Sequence, residues 1–433
     1  MAATECQVTQ SAAVRTLVDL VAQRKTRRFG RGMELPAGPL RYKSLHPPLP
    51  LSDDEEQALI FSAVGQTGMN LGDMQFVNRP GREDGQGIAM MNFQSRTVPS
   101  PCAAHTTRLF YTNDQGVFFV KGSSKQEWGF VTETVTLRDG RLEIPRQMPF
   151  MLGFNQWYTN QPGTTYFMPV TNVASVYINL LLALFSEEFG YFVVDTDNRA
   201  SGCGLDAFRK SRGGHLNDDI AMRRMMTLRE LDSSISDTAI QEQGIVCEHI
   251  FLMQQALGLG GGIQSVGSGR HLLGMEPQLF PGLGFQFSTP MGPSIRPNPI
   301  GLAELWAGPC PPFVTSMEGA VLGAVAMKFG KGGTYRNGSG TPWTLPESAI
   351  GFPTHSEQAI AATIAFCEYV HGTYGRFPAH TDAFKSIVAC QAHHIDVDFY
   401  DTFYPDGSLP QAQREHMAQF HGICTQGLSS AVA

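Results

Sequence analysis

Apolar positions recur at the helical period along much of the chain. Within residues 243–269, Val246, Ile250, Met253 and Leu257 fall at i, i+4, i+7 and i+11, which predicts a helix with one buried face. Residues 12–23 place Val14, Leu17, Val18 and Val21 on one side, and residues 356–370 align Ile360, Ile364 and Cys367. Residues 173–189 are apolar almost throughout. A short helix over 57–65 is predicted from its start, where Ser52 stands as N-cap, Glu55 at the reciprocal capping position, and acids fill the first turn. Strand patterns occupy 107–111 and 116–121 around the turn Asn113-Asp114-Gln115-Gly116, a hairpin signal. Residues 190–195 read as a buried strand that ends in the acids Asp195 and Asp197.

Between these elements the pattern breaks. Pro47, Pro48 and Pro50 make a stiff linker. Residues 145–170 are rich in aromatics and turns, and 195–235 are polar, with Arg209, Lys210, Arg212, Arg223 and Arg224, as expected of an exposed insertion. Glycine and proline dominate 258–315, which predicts long loops beside a pocket. No repeat of fixed period is present.

At 433 residues the chain exceeds one ordinary core, so about two domains or one elaborated domain are expected. With 42% apolar and 16% charged residues it is a well-buried globular chain. A net charge of −7 argues against general affinity for nucleic acid or an anionic membrane. The apolar window 180–185 is cut short by Glu187 and Glu188. Residues 1–10 are polar, and the eight cysteines are scattered without a C-x-x-C pair. A cytoplasmic, reduced protein without a zinc ribbon or disulfide scaffold is expected.

Three stretches carry candidate chemistry. Six glycines lie within 258–269, either as an extended helix cap or as bare backbone walling a pocket. Arg24-Lys25-Thr26-Arg27-Arg28 is strongly basic in an acidic chain; it is either a solvated helix end or a phosphate clamp of guanidinium forks and a hydroxyl. His393, His394, Asp396 and Asp398 offer metal-ligating groups, but the spacing equally lets His393 and Asp396, then His394 and Asp398, share helical faces as ordinary polar positions. A lid or dimer-contact role is expected for Phe399, Tyr400, Phe403 and Tyr404.

Taken in order, Arg24-x-Thr26-x-Arg28, the leucine-serine-acid helix start, the helix ending near Gly65, and Arg96-Thr97-Val98-Pro99-Ser100 ahead of a hairpin resemble the nitroreductase-like flavoprotein family, especially the branch of azoline-peptide dehydrogenases. Thr26 stands where that family's motif carries serine. Ala256-Leu257-Gly258-Leu259 is similar to its helix-ending turn, and Arg376-Phe377-Pro378 to its basic-then-proline segment. The resemblance implies an α+β fold, with a mostly antiparallel central sheet flanked by helices and interrupted by insertions. It implies FMN as cofactor, NAD(P)H as a candidate reductant, and a homodimer holding FMN between subunits. By the same resemblance, Arg24, Lys25, Thr26, Arg28 and Arg376 would hold the phosphate. Pro99, Ser100 and Pro101 would touch the ring edge or ribityl chain, and Gly261, Gly262 or Ile263 would offer an amide near the reactive ring nitrogen. Only Gln264 is available where the family often has an acidic or amide side chain. The expected layout is a flavin-binding domain split between 1–120 and 241–390, an insertion or substrate region at 121–240, and an extension at 391–433. The function implied is hydride transfer through flavin to or from a small organic molecule. Two alternatives stay open: a metal-dependent hydrolase or lyase using His393, His394, Asp396 and Asp398, and a cofactor-less binding protein of the same fold.

Overall fold

The computed structural model describes residues 17–72, 84–85, 90–127, 129–289, 295–336, 341–344 and 352–422. Its helices are α1 (Leu17–Ala22), α2 (Asp53–Val64), α3 (Val173–Leu184), α4 (Leu228–Leu257), α5 (Gly269–Leu273), α6 (Met317–Phe329), α7 (Glu357–Tyr374), α8 (Val397–Phe403) and α9 (Gln411–His421). The central sheet is built from β1 (Gln66–Met69), β2 (Gln94–Arg96), β3 (Thr107–Thr112), β4 (Gly116–Gln126), β5 (Gly129–Asp139), β6 (Thr165–Asn172), β7 (Gly260–Ser265), β8 (Phe384–Lys385) and β9 (Val388–His393). Its order is β7-β9-β6-β3-β4-β1-β2, with β8 also on β6 and β5 also on β4. Among the described residues, its only parallel contact is the short β1–β4 pairing. The molecule is therefore a mixed helix-and-sheet fold around a mostly antiparallel sheet.

Local sequence accounts for the frame. Ser52 and Glu55 close a reciprocal capping box that starts α2. The expected hairpin forms as β3 and β4, with Phe110 opposite Phe119 and Tyr111 opposite Phe118. One large core cluster lies between β3, β4 and β6 and helices α3, α6 and α7. A second joins α2 and α4 to the other side of the same strands through Leu59, Val246, Ile250 and Phe167. Five cysteines (Cys203, Cys247, Cys310, Cys367 and Cys390) are free and buried, so there they act as small apolar fillers.

Several expectations need correction. The helix read in the first half of residues 243–269 starts at Leu228, because Thr227 and Glu230 form a second capping box. Residues 195–235 are not simply an exposed insertion: Cys203, Leu205, Leu216, Leu228 and Leu231 belong to the main core. The apolar stripe of residues 12–23 does not pack inward where it is described, since Leu17 is 65%, Val18 76% and Val21 54% exposed. Val14 lies outside the described residues. No helix among the described residues is long and apolar enough to cross a membrane.

Candidate functional site

Helix α4 orders the candidate residues along its length. At its C-terminal end Gly258 caps it in the left-handed conformation (φ 82°), and the chain turns directly into β7. The following glycines are not bare. Gly261 pairs with Ala392 of β9, and its amide donates to the Arg27 carbonyl at 2.7 Å. A Cβ on Gly261 would sit 1.8 Å from the Gln391 carbonyl oxygen, and one on Gly262 would meet Thr26 Cγ2 at 2.6 Å. The space these glycines leave is filled by residues 26–27 and β9. The half-buried Ile263 pairs with Cys390 in the same ladder. Gln264 accepts a hydrogen bond from the Thr159 hydroxyl at 2.5 Å.

The basic segment is thereby laid along the sheet edge, and its side chains divide. Arg27 is buried and spent internally: Nε and Nη2 donate to the Ser408 carbonyl at 3.1 and 2.8 Å, and Nη1 donates to Gln255 Oε1 at 3.0 Å. Burial lowers its pKa, against an opposing influence of Tyr400. Arg24 lies beside Glu248 at 3.9 Å and over the Phe251 ring. Lys25, Thr26 and Arg28 remain exposed. They rim a cleft of about 500 Å³ whose wall includes Phe29, Trp157, Phe399, Tyr400 and Tyr404. Phe29 stacks on Phe399 with centroids 4.1 Å apart, and on Trp157 at 6.2 Å. The Arg28 guanidinium lies 5.9 Å from the Tyr158 ring centre. Phe29 and Phe399 are 1% and 3% exposed and pack on each other, so the ring surface open to a flat, phosphate-bearing ligand is chiefly that of Trp157 and Tyr404, beside two cations and a hydroxyl.

The other expected contacts lie elsewhere along α4. Pro99 is exposed, while Ser100 and Pro101 line a small hollow with Thr238, Ala239 and Glu242. The Ser100 hydroxyl accepts from the His105 amide at 2.9 Å. Arg376 is 3% exposed. Its forks donate to the carbonyls of Pro378, Arg296 and Thr381 and to Asn298 Oδ1, and Asp382 lies 3.3 Å away. Next to that network, the amides of His380 and Thr381 donate to the buried Asp232 on the first turns of α4. At 1.5 Å per helical residue, Asp232, Glu242 and Gln255 mark points spread over about 35 Å. Thr26, Gly261 and Gly262 come together; Pro99–Pro101 and Arg376 stand apart from them within one chain.

The histidine and aspartate segment is no helix at 393–396. β9 ends at His393, and Asp396 then caps α8 by accepting from the Phe399 amide at 3.1 Å. Helical sharing of faces is therefore ruled out, since a strand end turns successive side chains to opposite sides. His393 is buried against Gly30 and Gly260. Asp398 meets His46 at 2.9 Å. His394 points the other way, toward Glu55, His416 and His421. The sequence marks Glu55 only as a capping residue and gives no signal for His416 or His421. Glu55 already had a sufficient role in its capping box, and His416 and His421 are five apart on α9, off the i, i+4 spacing that marks a shared helix face.

The chain matches no family model, and no curated protein is significantly similar to it. Among solved structures it is similar to a crystal structure described as a candidate nitroreductase from Ralstonia eutropha JMP134. That similarity has 13% identity and a TM-score of 0.27, over 58% of this chain and 70% of the other.

Proposed function

We propose that this protein is an FMN-dependent oxidoreductase acting on a small organic substrate, with the flavin phosphate held at Lys25, Thr26 and Arg28. The observation that carries this reading is the pairing of those three exposed polar groups with the aromatic cleft behind them. A flavin monophosphate is a planar ring with a dianionic tail, and the cleft offers one surface for each. The order of short motifs that resembles the nitroreductase-like family points to the same ligand. Bound flavin would supply the hydride chemistry, while the chain positions the ring and neutralises the phosphate. Arg376 and the Pro99–Pro101 loop cannot reach this cleft in the same chain, given the spacing along α4. A flavin that touches both regions would lie between two copies, as the family resemblance implies.

Absorbance of the purified protein and mass spectrometry of the small molecule released on denaturation test the reading. FMN is the expected ligand. The Lys25→Ala/Arg28→Ala double variant should bind it at least about 100-fold more weakly, because two charge-assisted contacts of about 1.5–3 kcal/mol each are lost. Wild-type affinity in that variant would remove the phosphate assignment. A protein that neither carries nor takes up flavin would remove the function.

A further inference from the structure

The side chains of Glu55, His394, His416 and His421 each offer one ligand atom, and those atoms all lie within 4.8 Å of one another. Glu55 comes from the first turn of α2, His394 follows β9, and His416 and His421 stand on α9. From Glu55 Oε1 the Nε2 atoms of His394, His416 and His421 are 3.4, 2.8 and 3.2 Å away. The Nε2 atoms of His394 and His421 are 2.9 Å apart. A tetrahedral ion with ligand bonds of about 2.0–2.1 Å holds its ligand atoms about 3.3 Å apart. The four separations above, 2.8 to 3.4 Å, lie close to that spacing, and the remaining two are within 4.8 Å.

Hydrogen bonding alone accounts poorly for the cluster. His394 Nδ1 lies 2.9 Å from the Leu49 carbonyl, which can only accept, so Nδ1 carries a proton. In the neutral ring Nε2 then presents a lone pair toward the other three groups. His416 Nε2 lies 2.8 Å from the carboxylate outside hydrogen-bonding geometry, and its Nδ1 is buried with no hydrogen bond. Glu55 and His394 side chains are fully buried and His416 is 2% exposed.

The outer contacts are those that fix metal ligands. The Leu49 carbonyl sets the tautomer of His394, and the amide and hydroxyl of Ser52 hold Glu55 Oε2 at 2.7 and 2.9 Å, which leaves Oε1 for the centre.

We propose that Glu55, His394, His416 and His421 bind a divalent first-row transition ion of the Zn²⁺ type. Three imidazoles and one carboxylate favour such an ion over Ca²⁺ or Mg²⁺, which take oxygen ligands. With four protein ligands the site is closed, so the ion is structural. It ties α9 to α2 and to the end of β9. The chain entering α9 carries Ser408, whose carbonyl holds Arg27 at the base of the cleft. This inference does not depend on flavin binding.

Untagged full-length protein, purified without chelator, should contain about one zinc-type ion per chain by elemental mass spectrometry. A strong chelator should remove the ion and lower Tm, and added Zn²⁺ should restore it. Co²⁺ in its place should give the intense visible absorption of a tetrahedral ion. His421→Ala leaves the capping box intact and should weaken Zn²⁺ binding at least about tenfold in a competition titration. Asp398→Ala, in the separate His46 pair, should leave binding unchanged. Folded apoprotein that binds Zn²⁺ no better than His421→Ala overturns the proposal. Equal loss of the ion in Asp398→Ala, or a non-tetrahedral Co²⁺ spectrum, does the same.

Discussion

His105 shows how a single side chain sets a dependence on pH. It is 8% exposed, beside the loop of Ser100, and its Nδ1 has no hydrogen-bond partner. Burial, helped by the nearby cations Arg96 and Arg108, lowers its pKa from 6.5 to about 4. Above pH 6.5 both folded and unfolded chains hold it neutral, and stability is unaffected. As pH falls from about 6.5 to about 4 the unfolded chain takes the proton and the folded chain does not, so stability is lost across that window. The loss is about 3 kcal/mol when complete. Urea midpoints between pH 7.5 and 4.5 should fall less in His105→Asn than in wild type. Asparagine is the suitable replacement because residue 105 has φ 46°, a conformation that it tolerates. Identical slopes in the two proteins would show that His105 gains its proton without cost.

Among the elements, the turn from α4 into β7 separates what the sequence reveals from what it hides. The helix stripe of Val246, Ile250, Met253 and Leu257 was legible because burial on one face repeats at 3.6 residues; Val246, Ile250 and Leu257 are buried and Met253 is half-buried. The capping box of Ser52 and the β3–β4 hairpin were legible for the same reason: each is decided within a few residues. The start of α4 at Leu228 was obscured by the polar residues around it, although Thr227 and Glu230 carried the signal. The use of the glycines could not be read locally. Gly261 is required by the Gln391 carbonyl, 130 positions away, and by a φ of 135°. Gly261→Ala should therefore lower the urea midpoint by an amount equivalent to more than about 3 kcal/mol, combining overpacking with backbone strain. Gly244→Ala, with open space around it on α4, is the matched control and should be neutral or stabilising. Similar losses in the two variants would mean that the strand ladder yields around residue 261.

Across the whole molecule, the candidate site was legible in parts and not in their arrangement. The basic segment could be picked out by charge, but only the fold shows that Arg27 is consumed while Lys25 and Arg28 stay exposed. The aromatic wall draws on Phe29, Trp157, Phe399 and Tyr400, and the histidine cluster on Glu55, His394, His416 and His421; contacts between such distant positions leave no local pattern. The spread of the expected flavin contacts along α4 also bears on assembly. Arg376 is buried and engaged internally, but if one flavin uses both the Lys25–Arg28 rim and the Pro99–Pro101 loop, the protein must be dimeric, and sedimentation of the flavin-bound form should give twice the 47.3 kDa chain mass. A flavin-bound monomer at micromolar concentration would confine the flavin to the Lys25–Arg28 cleft. The glycine run also determines what conservation at its positions means. Invariance at position 261 would follow from strand pairing whether or not a relative carries a cofactor, so it cannot serve as a marker of activity. Variation at 25 and 28, whose side chains are exposed, is where gain or loss of the ligand would be recorded, whereas Thr26 also packs over Gly262.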